Sequence, residues 1–507
     1  MNIKLLVVGV VVALCAPFAM AQLPGSIDVT YGTNGKATAS NGQEYSVAWG
    51  MALQKDGKTI VAGTTLTDIM LTRFTTQGMP DSTFGDDGVV VTDINNNSVE
   101  QPNAVIVQAD GKILVTGITF TNSKRNFALL RYLPNGTLDN SFSNDGKVIT
   151  VLSIGQDEPR AIALQPDGKI LLAGYSDALF AVVRYKQNGT LDSTFSNDGI
   201  QTTAIDTGNG LATSVHVLKD GKILLVGYHN YNAQTDCAMA QYKANGQLDS
   251  SFGTNGKVIA DIGGIDRIYC ATVQPDDKIV VAGNIYTSDY AFGIARFTKT
   301  GILDTAFSSD GKLSVSYGNS HSSKALGVAV QPDGKILVAG TDSYSGSDIA
   351  LLRLDSKGVP DATFGTAGKV LTNFGTVNID EGVGIAVLPT GKIMVGGNSD
   401  GNFIAVRYHS GLNLGLKNVR INNSAVLYPN PVNDNASLEF SLAEASSVSI
   451  TVTDMQGRVI YTLPDNAVYN SGKHTVSITL PSTLAAGSYC LLLTAAQQQQ
   501  VVRMLKY

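Results

Sequence analysis

Residues 165–174 read QPDGKILLAG and residues 331–340 read QPDGKILVAG, nearly the same ten letters written twice. The pair belongs to a longer series. A turn residue followed by lysine recurs at Gly57-Lys58, Gly111-Lys112, Gly168-Lys169, Gly221-Lys222, Asp277-Lys278, Gly334-Lys335 and Gly391-Lys392, seven copies spaced 53 to 57 residues apart. A second element, D-x-x-F-[GS]-x-x-G, falls between them at Asp81, Asp139, Asp192, Asp249, Asp304 and Asp361, and once earlier as IDVTYGTNG from Ile27. The seventh copy runs out after Tyr408 without that element, so the array begins and ends in mid-unit. A linear array has no use for such an offset, whereas a closed ring does: the leading half-unit completes the last unit and locks the ends together.

The third copy shows what one unit is. RAIALQ (160–165) and KILLAG (169–174) are short apolar runs on either side of PDG. Pro166 has the fixed φ of a first bend, Asp167 tolerates the next position and Gly168 supplies positive φ, as in a three-residue hairpin. In the fifth copy Asp277 replaces glycine, and aspartate is among the few residues that accept that conformation. FAVVRY (180–185), a turn, the LDSTF element and IQTTAI (200–205) complete four strands. The runs are apolar without clean alternation, which places apolar neighbours on both sheet faces. Four-stranded sheets stacked face to face around an axis meet that demand and leave only short edges. The expected fold class is all-β: a seven-bladed β-propeller over residues 22–415, closed by an N-terminal half-repeat and followed by a small C-terminal β-sandwich.

The pattern A-x-x-x-Q-P-D-G-K-I-L-[LV]-A-G, then [LV]-x-R-[YF], then N-G-x-L-D-x-x-F, resembles the delta-60 repeat of bacterial propellers over about residues 27–415. The resemblance implies the fold and brings no catalytic residues with it. Strand order puts the PDGK and LDxxF turns on one side, where copies are monotonous, and the remaining connections on the other, where they differ strongly. Loops freed from a shared structural role serve recognition. Any ligand is therefore expected on the variable face, with Tyr228, His229, Tyr231 and Asp236 in the longest variable loop and Tyr344 in GTDSYSGSDIA (340–350) as candidates.

Two recurrent polar sets admit two readings each. Arg73, Arg131, Arg184, Arg296, Arg353 and Arg407 share one strand position, with Gln241 in the fourth copy. They form either a ring for an anion or a series of pairs with the aspartate of the following element, as Arg184 with Asp192. Repetition in nearly every unit favours pairing, with Asp81, Asp139, Asp192, Asp304 and Asp361 as the structural partners. Glu100, Asp157, Glu158, Asp266, Asp380 and Glu381 lie before the first strand of their units. If those strands line the axis, the carboxylates gather at the channel mouth and attract a cation, calcium for choice; the simpler reading is solvated loop acids, with no cofactor. Scattered histidines match no metal or triad spacing. A binding module is expected rather than an enzyme, with a polysaccharide hydrolase or lyase assembled from acids of separate units as the alternative.

The chain of 507 residues is 43% hydrophobic and 15% charged, with net charge −6. Such a balance excludes a long solvated tail and offers no basic face for nucleic acid. Lys4, the apolar run 5–14 and Ala19-Met20-Ala21 read as a secretory signal peptide over residues 1–21. No other stretch is long and apolar enough to span a bilayer, so no transmembrane segment is expected after cleavage. Of the four cysteines, Cys237, Cys270 and Cys490 lie outside that segment, at no metal or disulfide spacing.

Past Gly415 the period stops. Residues 416–426 read as a joint, and SLEFSL, SVSITVTD and HTVSITL then alternate apolar and polar residues, as half-buried antiparallel strands do. Tyr428-Pro429-Asn430-Pro431, a hairpin around Gly457, Gly487 followed by Tyr489, and Lys506 near the basic end are similar to the type A carboxy-terminal sorting domain of the type IX secretion system over residues 427–507. That resemblance implies passage to the periplasm, recognition by the type IX machinery, and release from, or attachment to, the outer surface of a Gram-negative bacterium. An extracellular glycan or protein is the expected partner of the propeller.

Overall fold

The computed structural model describes residues 23–40, 42, 46–95, 99–121, 123–344, 346–375, 379–412, 425–442, 446–454, 459–463, 467–481, 484–495 and 498–507. The signal-peptide reading of residues 1–21, most of the 416–426 joint and Gly457 lie outside them. Among the described residues every regular element is a strand, and no helix is long and apolar enough to cross a membrane. The chain divides into two compact units, Met1–Leu412 and Asn413–Tyr507.

Each repeat of the first unit is a four-stranded antiparallel meander. In the third the order is Asp157–Leu164, Ile170–Ser176, Leu179–Tyr185 and Ile200–Thr203. The sets beginning at Val47, Gln101 and Asn209 repeat it, and those beginning at Ile265 and Ser322 do so while touching through one parallel bridge, Tyr290 to Ser322. The set beginning at Asp380 has three strands of its own, and Lys36–Ala39 from the start of the chain pairs with Asn402–Tyr408 as the fourth, Ala37 opposite Ala405.

The local chemistry explains the hairpins. Gly168 has φ +79° and Asp277 takes the same place at φ +66°, while the Lys169 amide donates to Asp167 Oδ1 at 3.2 Å. The second strand is buried along most of its length, Ile170, Leu171, Leu172 and Ala173 being fully inaccessible, which is why it does not alternate. Leu171, Ala173 and Val182 face one way and pack on Ala212, Ile223 and Leu225 of the next sheet. The other face joins Leu172 and Val183 to Leu114 and Leu129 of the preceding sheet. At the join of the two ends, Phe403 and Ala405 of the last sheet share a core with Val61 and Phe74 of the first and with Tyr31 and Ala37. Each such fully buried large side chain stabilises by about 1.5–3 kcal/mol.

The second unit has two sheets. One contains Val426–Tyr428, Asn435–Leu442 and Gly472–Thr479; the other contains Val459–Thr462, Ser446–Thr453, Gly487–Ala495 and Gln498–Lys506, with Ala467–Tyr469 also on Ser446–Thr453. Leu438 and Phe440 of the first share a core with Ile450, Leu491, Leu493 and Met504 of the second.

Candidate functional site

The first strand of every repeat carries one extra residue. Its register slips between Ala48 and Gly50, Pro102 and Ala104, Pro159 and Ala161, Ala212 and Ser214, Ile268 and Cys270, Ala325 and Gly327, and Gly382 and Gly384. The bulged residues are therefore Trp49, Asn103, Arg160, Thr213, Tyr269, Leu326 and Val383. A bulge bends its strand and re-aims the extra side chain. All of these residues line one cavity of about 550 Å³. The last letter of QPDGKILLAG explains how the bulge is accommodated: a Cβ on Gly174 would overlap the carbonyl oxygen of Glu158, on Gly227 that of Leu211 and on Gly340 that of Lys324. In every repeat the bulged residue stands fourteen positions before this glycine. Glycine lets the two backbones approach, and the approach aims the side chain.

The cavity is chemically mixed. Lys324 Nζ sits over the Tyr269 ring, 4.5 Å from its centre, and Tyr228 meets the same ring edge-on at 6.4 Å. Burial lowers the pKa of Lys324, Glu381 works against that, and the charges of Arg160 and Arg267 lower it further. Burial raises the Tyr228 phenol, and the same two arginines oppose the rise. Arg160, Arg267 and Lys324 thus converge, with Arg160 paired to the buried Glu158, which also accepts from Arg125 Nη1 at 2.9 Å and Tyr175 Oη at 3.1 Å. Of these, Arg160, Lys324, Glu381 and the Tyr269 ring line the cavity itself, an arrangement that orients a polar ligand by charge while offering a ring face to its apolar surface.

Each recurrent arginine is paired with an aspartate. Arg184 Nε lies 2.9 Å from Asp192 Oδ2 and its Nη1 donates to the Ala244 carbonyl of the next repeat at 2.6 Å, with the guanidinium 4.7 Å from the centre of Phe195. Arg131 and Arg296 reach Gln187 and Ser356 in the same way, both at 2.5 Å, Arg73 and Arg353 reach Pro134 and Ser410, and Arg407 reaches Thr76 at 2.9 Å. Their carboxylate partners Asp81, Asp139, Asp304 and Asp361 lie at 2.7, 2.8, 2.8 and 3.0 Å. Where Gln241 stands instead, Asp249 keeps Lys222 at 2.9 Å.

The acids are dispersed. Only Glu381 of the six lines the cavity. Asp157 is buried beneath the loop before it and accepts from the amides of Leu152 and Ser153 at 2.8 and 3.0 Å and from the hydroxyls of Ser153 and Ser176. Asp266 and Asp380 are equally buried and receive the amides of Ile262 and Phe374, and Glu100 is buried at the same register. Far from being solvated at the mouth, Asp157, Asp266 and Asp380 tie loops to strands, because backbone amides of the preceding loop converge on this position. Of the variable-face residues, His229 is buried, hydrogen-bonds the Thr207 carbonyl through Nε2 at 2.9 Å and stacks on Tyr231; Tyr228 meets the Tyr269 ring edge-on, and Tyr344 is stacked on His321 at 4.9 Å. Arg160, Tyr269 and Lys324 have no repeated signature of their own; the fixed distance to the repeated glycine is the signal that finds the bulges.

The fold and site define an all-β protein of propeller-like repeats with a lined cavity. Residues 54–84, 108–142, 165–195, 218–252, 274–307 and 331–364 match the family described as a domain of unknown function (DUF5122) β-propeller, and residues 426–506 match the secretion system C-terminal sorting domain, which indicates export by type IX secretion. No curated protein matches the chain. Among solved structures the chain is similar to PorZ, a bacterial surface component of the type IX secretion system of Porphyromonas gingivalis, at 13% identity and TM-score 0.39, covering 92% of this chain and 60% of that one. It is also similar to an inactive virginiamycin B lyase of Staphylococcus aureus at 11% identity and TM-score 0.46, covering 74% and 98%, and to an ulvan lyase at 10% and 0.44, covering 73% and 96%.

Proposed function

We propose that the chain is an exported binding module: a seven-bladed β-propeller, closed by its N-terminal half-repeat, whose cavity mouth takes an extracellular glycan bearing acidic groups, carried to the cell surface or beyond by a β-sandwich sorting domain. The six family-matched segments each run from a turn-lysine hairpin to a D-x-x-F turn. The seventh is divided between the two ends of the chain, which accounts for its lacking a contiguous match. One observation carries the ligand reading. The scaffold around each bulge is repeated, while the bulged side chains are tryptophan, asparagine, arginine, threonine, tyrosine, leucine and valine. A shared structural role repeats its residue; a recognition surface does not.

The rival reading is an extracellular polysaccharide hydrolase or lyase. The observation in its favour is His321, whose Nδ1 lies 2.6 Å from the buried Asp342 carboxylate, itself an acceptor for Ser323 at 2.5 Å. A glycan array with the chain, repeated with Arg160→Ala and Lys324→Ala, followed by product analysis on each hit, separates the two. Intact glycan retained by the wild type and lost tenfold or more in the variants supports the module. Shortened product, abolished by His321→Ala, establishes the enzyme instead.

A further inference from the structure

Next to the register position of His229, three carboxylates meet between two consecutive sheets. Asp236 lies near the start of the third strand of one sheet, Gln234–Tyr242, Asp261 follows its last strand, and Asp266 lies in the first strand of the next. One carboxylate oxygen of each lies within 4.8 Å of the other two. Among the described residues none of the three is in an ion pair. Asp266 is fully buried, and its Oδ1 accepts no hydrogen bond, although Oδ2 takes the Ile262 amide at 2.5 Å.

The other repeats provide internal comparisons. Asp157, at the register of Asp266, is saturated by two amides and two hydroxyls. At the registers of Asp236 and Asp261 another repeat has Asp348 and Asn373, and there the Asn373 amide donates to Asp348 at 2.7 Å. An amide in the middle position thus supplies a donor; an aspartate supplies a third negative charge. We propose that Asp236, Asp261 and Asp266 bind a calcium ion that staples these two sheets together. Three hard oxygen donors around an open, buried carboxylate oxygen suit calcium, which takes six to eight oxygens in flexible geometry, better than magnesium, which holds its waters. Burial, opposed by the Ile262 amide but reinforced by the charges of Asp261 and Asp236, raises the Asp266 pKa to about 7 in the absence of a cation. A divalent ion removes that penalty.

The same three registers carry Asp68, Asp93 and Glu100 in the first two repeats, so the test counts equivalents rather than assuming one. Chelator-stripped full chain is titrated with calcium chloride by calorimetry, alongside Asp261→Asn, Asp266→Asn and Asp93→Asn. The wild type is expected to bind one equivalent more than Asp261→Asn or Asp266→Asn, and Asp93→Asn to retain that equivalent. In chelator, Asp261→Asn is expected to melt higher than wild type, its amide reproducing the Asn373 contact. Identical titrations for wild type and both substituted chains, or a wild type that takes up no calcium, overturn the proposal and leave the three acids sharing protons; should Asp266→Asn fail to fold, Asp261→Asn decides alone.

Discussion

Arg407 Nε lies 2.6 Å from Asp28 Oδ2, joining residues 379 positions apart. Thr30 Oγ1 donates to Asp28 Oδ1 at 2.6 Å and accepts from Arg407 Nη2 at 3.1 Å, Lys392 also contacts the carboxylate, and the guanidinium sits 4.6 Å from the centre of Tyr31. This is the Arg184, Asp192, Thr194, Phe195 arrangement with one half supplied by the start of the chain and the other by the last repeat. The same interaction that fixes a turn inside one repeat here fastens two ends of the first unit, where no peptide bond does so.

That difference predicts different failures. Removing Asp192 leaves the buried Arg184 guanidinium without its carboxylate and costs about 3–5 kcal/mol, and removing Asp28 from the half-buried Arg407 costs less. In Asp192→Ala the turn stays tethered at both sides. In Asp28→Ala the segment 23–40 keeps its strand pairing, the core around Tyr31 and backbone hydrogen bonds such as that of the Gly32 amide to the Gln77 carbonyl, but loses its side-chain tie to Arg407, so limited proteolysis is expected to cut there first, at rates well above those of Asp192→Ala. Equal cleavage of that segment in the two variants would show that the pair does not hold the ends.

The glycine facing each bulge predicts a second effect. Gly174→Ala drives a methyl into the Glu158 carbonyl, and neither backbone has room to retreat because both strands lie between packed sheets. A cost of about 3 kcal/mol is expected, at the upper end for overpacking. Since the strain falls on the bulge, Arg160 is displaced as well, so binding at the cavity should weaken more than the loss of folded protein explains. A variant that melts lower but binds normally would separate the glycine from the aim of its bulge.

Strands, hairpins and the meeting of the two ends were legible because they are written several times: Asp28 and Tyr31 stand out as the missing partners of Arg407 once Asp192 and Phe195 are seen beside Arg184. The cavity was not, for the converse reason. Trp49, Arg160 and Tyr269 share a position without sharing a residue type, and only the spacing to the repeated glycine marks them. The acids misled because a sequence shows charge and not burial; Asp157 looks like a loop carboxylate until the amides of Leu152 and Ser153 are seen to converge on it. His229 and Tyr344 were grouped by loop character, yet they belong to different repeats and touch different rings.

The paired aspartates set the acid limit of stability. Burial pushes the Asp192 carboxyl up, but Thr194, Lys169 and Arg184 outweigh it and hold it at about 2. Asp28, Asp81, Asp139, Asp249, Asp304 and Asp361 are likewise held below the ordinary range. An unfolded aspartate titrates near 3.9. Between the two values the unfolded chain binds more protons, so stability from these groups is complete above about pH 4 and drains away as pH falls through the folded values. Read as the difference between wild type and Asp192→Asn, denaturant melts at pH 7, 5 and 3 are expected to show little change in this contribution between the first two and a steep loss at the third. Asp192→Asn should be destabilised at pH 7, with the gap to wild type narrowing at pH 3; a gap independent of pH would mean that Asp192 is not charged in the fold.

In the second unit, Asn430 and Lys506 fasten the leading segment to the last strand. Asn430 Nδ2 donates to the Arg503 carbonyl at 2.7 Å and its Oδ1 accepts the Leu505 amide at 2.9 Å, while the buried Lys506 ammonium donates to the Asn433 carbonyl at 2.6 Å and to Asp434 Oδ1 at 2.9 Å. Asn430 and Lys506, two of the residues that carry the sorting-domain resemblance, thus also join the leading segment to the final strand, and export is expected to depend on the shape they maintain. Asn430→Ala loses two hydrogen bonds, about 2 kcal/mol together, and leaves the Leu505 amide without its acceptor. The first unit has its own cores and is expected to melt unchanged. In a host with a working type IX system, the secreted fraction of Asn430→Ala should fall several-fold with the protein accumulating in the periplasm, and Lys506→Ala should do the same. Export at wild-type levels by both would show that the segment from 430 to 434 need not be pinned to the final strand for the machinery to accept the chain.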